Sequence, residues 1–480
     1  MIFLNNSAGE YDNDVIVMTL AFFPGEKIVT DDTLKALCRM RINVCAEDKM
    51  AVSVNIDEAV YAESISIGGR DRKDIRDELK RVLYGIFSAY TGKTLPWGTL
   101  TGIRPVKIPL GMLESGCEDG EIRKCLKERY LVSDAKSRLS LTVAHTEQRL
   151  LRSIDYRNGY SLYVGIPFCP TTCLYCSFTS YPISMFRDKV DMYLDALIKE
   201  LKFLGRHLSG KKADSVYIGG GTPTTLNARQ LHRLIGAIED NFDLSNLSEF
   251  TVEAGRPDSI DPDRLRAIQS HGIDRISINP QTMNQRTLDI IGRRHTVEDV
   301  VRAFNEARDA GFGNINMDMI VGLCDETMDD VKHTLDCIAA LSPDSLTVHS
   351  LAVKRAARLN IEKDAYAQYS AVNTSEIMDM TYNYAESMGL LPYYLYRQKN
   401  MAGNYENVGY AKPGKEGVYN ILIMEEKQSI YAAGANAQSK IVYTDPVRVD
   451  RIENVKNVTE YIDRVDEMIE RKRMYFDGII

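Results

Sequence analysis

The sequence predicts an α/β protein centred on a parallel sheet wrapped by helices. Three observations carry this reading. From Ser161 onward, strand-like runs recur at 161–166, 214–218, 249–254, 274–279, 313–321 and 344–350. Between them lie stretches whose apolar residues repeat every three and four positions, the buried stripe of a helix. Leu194, Leu197, Ile198, Leu201 and Leu204 form one stripe, and Leu231, Leu234, Ile235 and Ile238 the next. Third, the chemically unusual residues fall at the carboxyl ends of these runs, where loops of a β/α fold converge. Six strands alternating with helices run parallel with right-handed crossovers, giving an open wound sheet or a partly closed barrel.

The remaining elements flank this repeat. Residues 1–95 read as a small α+β unit, with strands at Val15–Phe23, Ala51–Ile56 and Tyr61–Ile67. A helix over Asp71–Tyr90 places Ile75, Leu79, Val82, Leu83 and Ile86 on one face. Residues 96–158 read as a connector, opened by the glycine- and proline-punctuated segment Thr91–Pro105 and followed by helices at Asp119–Glu128 and Asp134–Arg152. The β/α core spans 159–355. Residues 356–480 read as an α+β extension: a helix at Glu376–Met388, strands at 393–397, 418–423 and 428–433, and a closing helix at Val458–Met474.

Composition narrows the function classes. The 480 residues are 44% hydrophobic and 26% charged, ordinary for a globular enzyme. A net charge of −8 argues against nucleic acid as the main partner. The apolar run Val15–Phe23 is too short to span a bilayer and lacks the basic start and cleavage site of a signal peptide, so a cytoplasmic location is expected. Nine cysteines form no disulfide framework; Cys38, Cys45, Cys117, Cys125, Cys324 and Cys337 are scattered and read as reduced thiols.

The other three sit together in Cys169-Pro-Thr-Thr-Cys173-Leu-Tyr-Cys176, directly after the first strand. Three thiolates can hold three irons of a cubane iron–sulfur cluster and leave the fourth iron open to a ligand. Structural zinc asks for a fourth Cys or His, which this segment does not supply. Gly219-Gly-Gly-Thr-Pro-Thr224 follows the second strand, where glycines let a backbone pass close to a ligand and expose its N–H groups. Glu253 ends the third strand, Pro280-Gln281 the fourth, Asp318 lies in the fifth, and His349–Ala352 closes the sixth. Asp318 stands in an apolar run, where an unpaired charge would be expensive. Glu253 has a plainer alternative as the partner of Arg256.

The cysteine spacing followed by the glycine motif resembles the radical S-adenosylmethionine (SAM) superfamily. Tyr163-Val-Gly-Ile-Pro-Phe-Cys169, Gly219–Thr224, Glu253, Gln281 and Asp318–Leu323 resemble the oxygen-independent coproporphyrinogen III dehydrogenases. Trp97–Pro105, Glu253-Ala-Gly-Arg-Pro-Asp258, Tyr396–Asn400 and Glu406–Gly414 resemble their HemZ-type branch. The resemblance covers about residues 90–445 and implies a partial (β/α)6 barrel with Cys169, Cys173 and Cys176 on a [4Fe-4S] cluster. It implies SAM held by Tyr163, Tyr175, Gly220, Gly221, Thr222, Glu253, Gln281, Arg293, Asp318 and Ala352, with Tyr163 also catalytic. Of the adjacent Arg293 and Arg294, the match favours Arg293 as the inward one.

The implied reaction is reductive cleavage of SAM, hydrogen abstraction from coproporphyrinogen III, and loss of two carboxyls as carbon dioxide to leave vinyl groups. It further implies an electron donor such as flavodoxin or ferredoxin, and a monomer is expected. The competing readings are a haem-binding trafficking or chaperone protein of the same family and another radical SAM enzyme acting on tetrapyrroles. Lys354, Arg355, Arg358, Arg397 and Lys399 are candidate contacts for substrate carboxylates. The chain departs from the family pattern at Gly165, where a histidine is common, at Phe178, where a fourth cysteine is common, and at Tyr419-Asn420, where His-Asn is common.

Overall fold

The structure is a computed structural model that describes residues 1–7, 10–31, 33, 37–46, 48–354, 356–362, 366, 369–398 and 405–478. Contacts group the chain into two compact units, Met1–Ala144 and His145–Ile480. The boundaries read from sequence at 95, 158 and 355 do not coincide with this division, for reasons visible in each unit.

The first unit carries a five-stranded sheet: β1 (Ile2–Asn6), β2 (Ile28–Val29), β3 (Cys38–Ala46), β4 (Lys49–Ile56) and β5 (Ala59–Ser66), in the order β2-β1-β3-β4-β5. Val15–Phe23, expected as a strand, lies instead in and just beyond a helix over Asp12–Phe22. Its buried residues Val15, Met18, Thr19 and Phe22 recur at helical spacing, but a run apolar on all sides except at Thr19 hides that period. The segment beyond residue 95 joins this unit through hydrogen bonds. Thr99 N donates to Tyr130 O (2.8 Å), Ser133 N to Pro96 O (2.9 Å), and Arg129 pairs with Asp74 and Asp77. Trp97 is fully buried within it.

In the second unit the six expected strands appear as β6 (Tyr160–Ile166), β7 (Ala213–Gly220), β8 (Glu249–Gly255), β9 (Arg275–Ile278), β10 (Asn314–Val321) and β11 (Ser345–Ser350), all parallel and adjacent in chain order. Five more strands extend the same sheet: β12 (Leu391–Tyr396), β13 (Asn407–Ala411), β14 (Ile430–Ala433), β15 (Gln438–Thr444) and β16 (Val447–Glu453). The order is β12-β13-β11-β10-β9-β8-β7-β6-β14-β15-β16. The carboxyl-terminal segment therefore adds to both edges of the core, with β13 antiparallel to β11 and β14 parallel to β6. The strand expected at 418–423 is a helix, Val418–Glu425, whose buried Val418, Ile421, Leu422 and Glu425 again follow a helical period. The closing helix breaks at Arg464 into Val458–Asp463 and Val465–Phe476. A fully buried ion pair, Lys472 with Glu200, ties its second half to the helix Val190–His207; Asn454, Tyr461 and the Gly434 N–H satisfy the rest of that carboxylate.

Register assigns the core strands two unlike faces. Tyr163 pairs with Tyr217, Tyr217 with Thr251, Thr251 with Arg275, and Arg275 with Asn314. The next row runs Glu253, Ser277, Asn316 and Ser345, followed by Asp318 with Thr347. These rows are polar, whereas the alternate residues Leu162, Val164, Val216, Ile218, Val252, Ile276, Ile315, Met317, Leu346 and Val348 are apolar and buried. A sheet covered by helices normally reads as continuous apolar strands. Here one face is given to polar side chains, and it leads to the carboxyl-end rim.

Candidate active site

The cysteine loop leaves β6 and is pinned by its middle residue. Leu174 is buried with Leu288, Ile291, Ile320, Leu323 and Leu351, its N–H donates to Ile291 O (2.9 Å), and its carbonyl accepts from Leu359 N (2.9 Å). The three cysteines flank this anchor. Thr222 Oγ1 lies 3.5 Å from Cys169 Sγ, and Arg256 Nη1 lies 3.8 Å from Cys173 Sγ. Burial pushes the Cys169 thiol up and the Cys176 thiol up to about 11; ligation by metal would reverse this, since metals bind the thiolate.

The glycine triplet lies against the same loop, and its function corrects the sequence reading. Gly220 N donates to Glu253 Oε2 (3.2 Å), Gly221 N to Ile166 O (2.7 Å) and Thr222 N to Phe168 O (2.7 Å). The N–H groups expected to face a ligand are engaged within the protein. The glycines serve close approach instead: a Cβ at 219 would lie 2.8 Å from Glu253 Oε2, at 220 3.0 Å from the Tyr163 hydroxyl, and at 221 2.5 Å from Phe168 O. Gly220 also needs its left-handed φ of +107°.

Glu253 does not pair with Arg256. It accepts from Tyr217 Oη (2.6 Å) as well as Gly220 N, and burial, with Asp318 nearby, raises its carboxyl to about 7 against the Tyr217 hydrogen bond. Asp318 is half-buried, as Glu253 is, yet its carboxyl is held below the usual range, because His349, Asn316 and Thr347 together outweigh desolvation. Asn316 Nδ2 donates to it at 2.7 Å and His349 Nε2 stands 3.7 Å away. Gln281 is locked between backbone bonds, its N–H to Asp318 O and its carbonyl from Ile320 N, both 2.9 Å, at a left-handed φ of +68°. Such strain in a non-glycine residue gathers at functional sites.

Arg293 is buried and Arg294 exposed. The Arg293 guanidinium donates to Asn279 O, and the neighbouring Tyr175 and Cys173 keep it charged against burial. Tyr175 packs on the Leu174 cluster, and Ala352 lies two residues past the end of β11. Tyr163 stacks with Tyr217 and Tyr419, with centroids at 6.3 and 6.4 Å. Burial raises its hydroxyl. The proposed carboxylate contacts do not gather in the same way. Arg358 pairs with Glu362, Lys354 stands over the exposed Phe178 ring, and Arg397 is buried with its guanidinium pushed down to about 10; Arg355 and Lys399 lie outside the described residues. Sequence reasoning missed Tyr217, an ordinary strand residue, and treated Arg256 only as a partner for Glu253.

Residues 163–338 match the radical SAM superfamily. The chain is 39% identical over 411 residues to the oxygen-independent coproporphyrinogen-III oxidase-like protein HemZ of Bacillus subtilis, covering 85% of this chain and 82% of that protein. The chain belongs to the radical SAM HemN/HemZ family. Within that family it is also 31% identical to the haem chaperone HemW of B. subtilis, over 64% of this chain and 76% of that protein. Coproporphyrinogen III oxidase HemN of Escherichia coli shares the fold, with a TM-score of 0.51 at 24% identity, covering 67% of this chain and 73% of that one.

The family's cofactors are a [4Fe-4S] cluster and SAM. The residues fit them on two counts. Three thiols lie on one loop with a hydroxyl and a guanidinium directed at two of them. Beside them Gln281 Oε1, Arg293 Nε and Asn279 Oδ1 are buried without a hydrogen-bond partner among the described residues, an arrangement that calls for a polar ligand. No three His, Cys, Asp or Glu side chains among the described residues converge on one ion position; a cubane places each thiolate on its own iron and needs no such convergence. Among the described residues, no helix is long and apolar enough to cross a membrane.

Proposed function

We propose that the chain is an oxygen-independent coproporphyrinogen III dehydrogenase, converting two propionates of its substrate to vinyl groups with loss of carbon dioxide. The observation that carries this reading is one rim bearing the cysteine loop, the orphaned Gln281 and Arg293 atoms, and the unequal carboxyls Glu253 and Asp318. Similarity to HemZ along 85% of the chain supports the tetrapyrrole substrate. Cys169, Cys173 and Cys176 would hold the cluster, leaving one iron for SAM. When bound, the pair supplies one-electron reductive cleavage of SAM and hydrogen abstraction from a propionate side chain. The chain's residues orient and shield this chemistry. Arg293 offers a fixed positive charge to a carboxylate, Asp318 an ionised partner for an amino group, and Gln281 Oε1 an acceptor. Glu253, accepting from the Tyr217 hydroxyl, takes up or releases a proton near neutral pH, and the Leu174–Ile320–Leu351 cluster keeps water from one side of the loop. A Cβ at Gly165 would meet nothing closer than 3.4 Å, so the backbone there does not demand a glycine. The electron donor is a flavodoxin- or ferredoxin-type protein, and the chain acts as a monomer.

A second reading, a haem chaperone, is favoured by the similarity to HemW. Anaerobic incubation of reconstituted protein with SAM, dithionite and coproporphyrinogen III separates the two. The dehydrogenase releases carbon dioxide and 5′-deoxyadenosine and forms protoporphyrinogen IX. Stoichiometric haem binding with no decarboxylated product overturns the first reading. Cys173→Ala should bring iron from about four per chain to near zero; full iron in that variant would refute the ligand assignment.

A further inference from the structure

Arg256 lies in the turn after β8, and its chain neighbours give no sign of a role in the cysteine loop. In three dimensions it is buried, 3% exposed, and makes contacts in two directions. Nε and Nη2 bind Asp258 in a two-pronged pair (2.9 and 2.6 Å), which fixes the plane of the guanidinium. Nη1 crosses 85 positions of sequence to Thr171, donating to its carbonyl (3.0 Å) and hydroxyl (2.7 Å), and faces Cys173 Sγ at 3.8 Å. His295, itself buried, stands 3.9 Å from the same Asp258 carboxylate, whose side chain is 23% exposed at the outer edge of the pair.

We infer that Arg256 is a positioning residue that sets the reduction potential of the cluster, by holding a permanent positive charge on the Cys173 sulfur while Asp258 holds the guanidinium in place. The inference rests on the reading of Cys173 as a cluster ligand. Its physical basis is general: hydrogen bonds to cluster sulfurs and nearby charge tune the potential of iron–sulfur centres. Arginine suits the position because its guanidinium cannot deprotonate and its planar fork can hold Asp258 with one edge and the loop with the other. Cys169 faces the Thr222 hydroxyl at 3.5 Å and Cys173 the Arg256 guanidinium at 3.8 Å, so the contact from Arg256 falls on Cys173.

The test is an EPR-monitored redox titration of the reconstituted full chain without SAM, together with its iron content. Arg256→Gln should keep its iron and become harder to reduce, by roughly a tenfold shift of the one-electron equilibrium, about 59 mV. Arg256→Lys, which keeps the charge, should restore most of that shift. Asp258→Asn, which removes the counter-charge, should move the potential the opposite way. Full iron with an unchanged potential in Arg256→Gln overturns the inference. So does an Arg256→Lys potential as low as that of the glutamine variant. If Arg256→Gln takes up no iron, Asp258→Asn decides: an upward shift supports the assignment, and none refutes it. Iron retained in full by Cys173→Ala would instead refute the underlying ligand reading, whatever the arginine variants show.

Discussion

The two ends of the polar strand face differ in one respect: at the floor the principal polar groups are paired, and at the rim several are not. At the floor Arg275 Nη1 donates to Asn314 Oδ1 (2.7 Å), Ser345 Oγ (3.3 Å) and Lys415 O (2.9 Å). Glu249 accepts from Thr251 Oγ1 (2.6 Å) and Tyr419 N (3.0 Å), and lies 3.9 Å from Arg275. At the rim Gln281 Oε1, Asn279 Oδ1, Arg293 Nε and both His295 nitrogens make no hydrogen bond among the described residues. Both ends are buried, so exposure to water does not explain the difference. A buried group without a partner is disfavoured by about 1–3 kcal/mol, and a fold retains several in one place when something else completes them. The floor is polar for architecture, the rim for binding.

Three substitutions would break or sharpen that contrast. Arg275→Ala should lower stability by about 3–5 kcal/mol, because it removes the cation beside the buried Glu249 carboxylate and the donor to Asn314 Oδ1, Ser345 Oγ and Lys415 O; the urea midpoint followed by circular dichroism reads this. A loss under about 1 kcal/mol would mean the floor pairing is incidental. Glu253→Gln should change the pH dependence of stability measured without SAM. Its carboxyl is raised from 4.5 to about 7 in the folded chain, so between those values the folded state keeps a proton that the unfolded state has released. Stability therefore falls as pH rises through that window, by at most about 3 kcal/mol, and the glutamine variant should lack this slope. An unchanged slope would remove Glu253 as its source. Gln281→Gly relieves the left-handed backbone and deletes the orphan amide. SAM affinity should drop about tenfold, the weight of one hydrogen bond, while stability holds or rises by up to about 1 kcal/mol. Equilibrium dialysis with SAM checks it, and unchanged affinity would sink the binding role of the rim.

Much of this was legible in sequence, for identifiable reasons. The six core strands were found within two residues at nearly every end, since helical and strand periods alternate cleanly from 161 to 350. The segments misread as strands, Val15–Phe23 and 418–423, are each apolar but for one residue, Thr19 and Asn420, so neither period shows. Strands β15 and β16 carry polar residues at alternate positions toward one edge of the sheet and so look like loops, and β13 is only five residues long with Gly409 at its centre. The polar face is not legible from the apolar residues that mark a strand, because the alternate Ser, Thr, Asn and Tyr acquire a common face only once the register between strands is set. Glycine was expected at 219–221 to expose N–H groups, whereas packing against Glu253, Tyr163 and Phe168 O explains it.

The sequence by itself determined the class of chemistry, because three cysteines at that spacing and the order of strand-end residues are local properties of the chain. It also determined the parallel core, which follows from period and alternation. Only the tertiary structure decided which polar groups are spent within the protein and which remain for a ligand. That distinction depends on contacts such as Arg256 with Thr171, or Tyr217 with Glu253, between residues far apart in the chain, and burial gives those contacts their energetic weight.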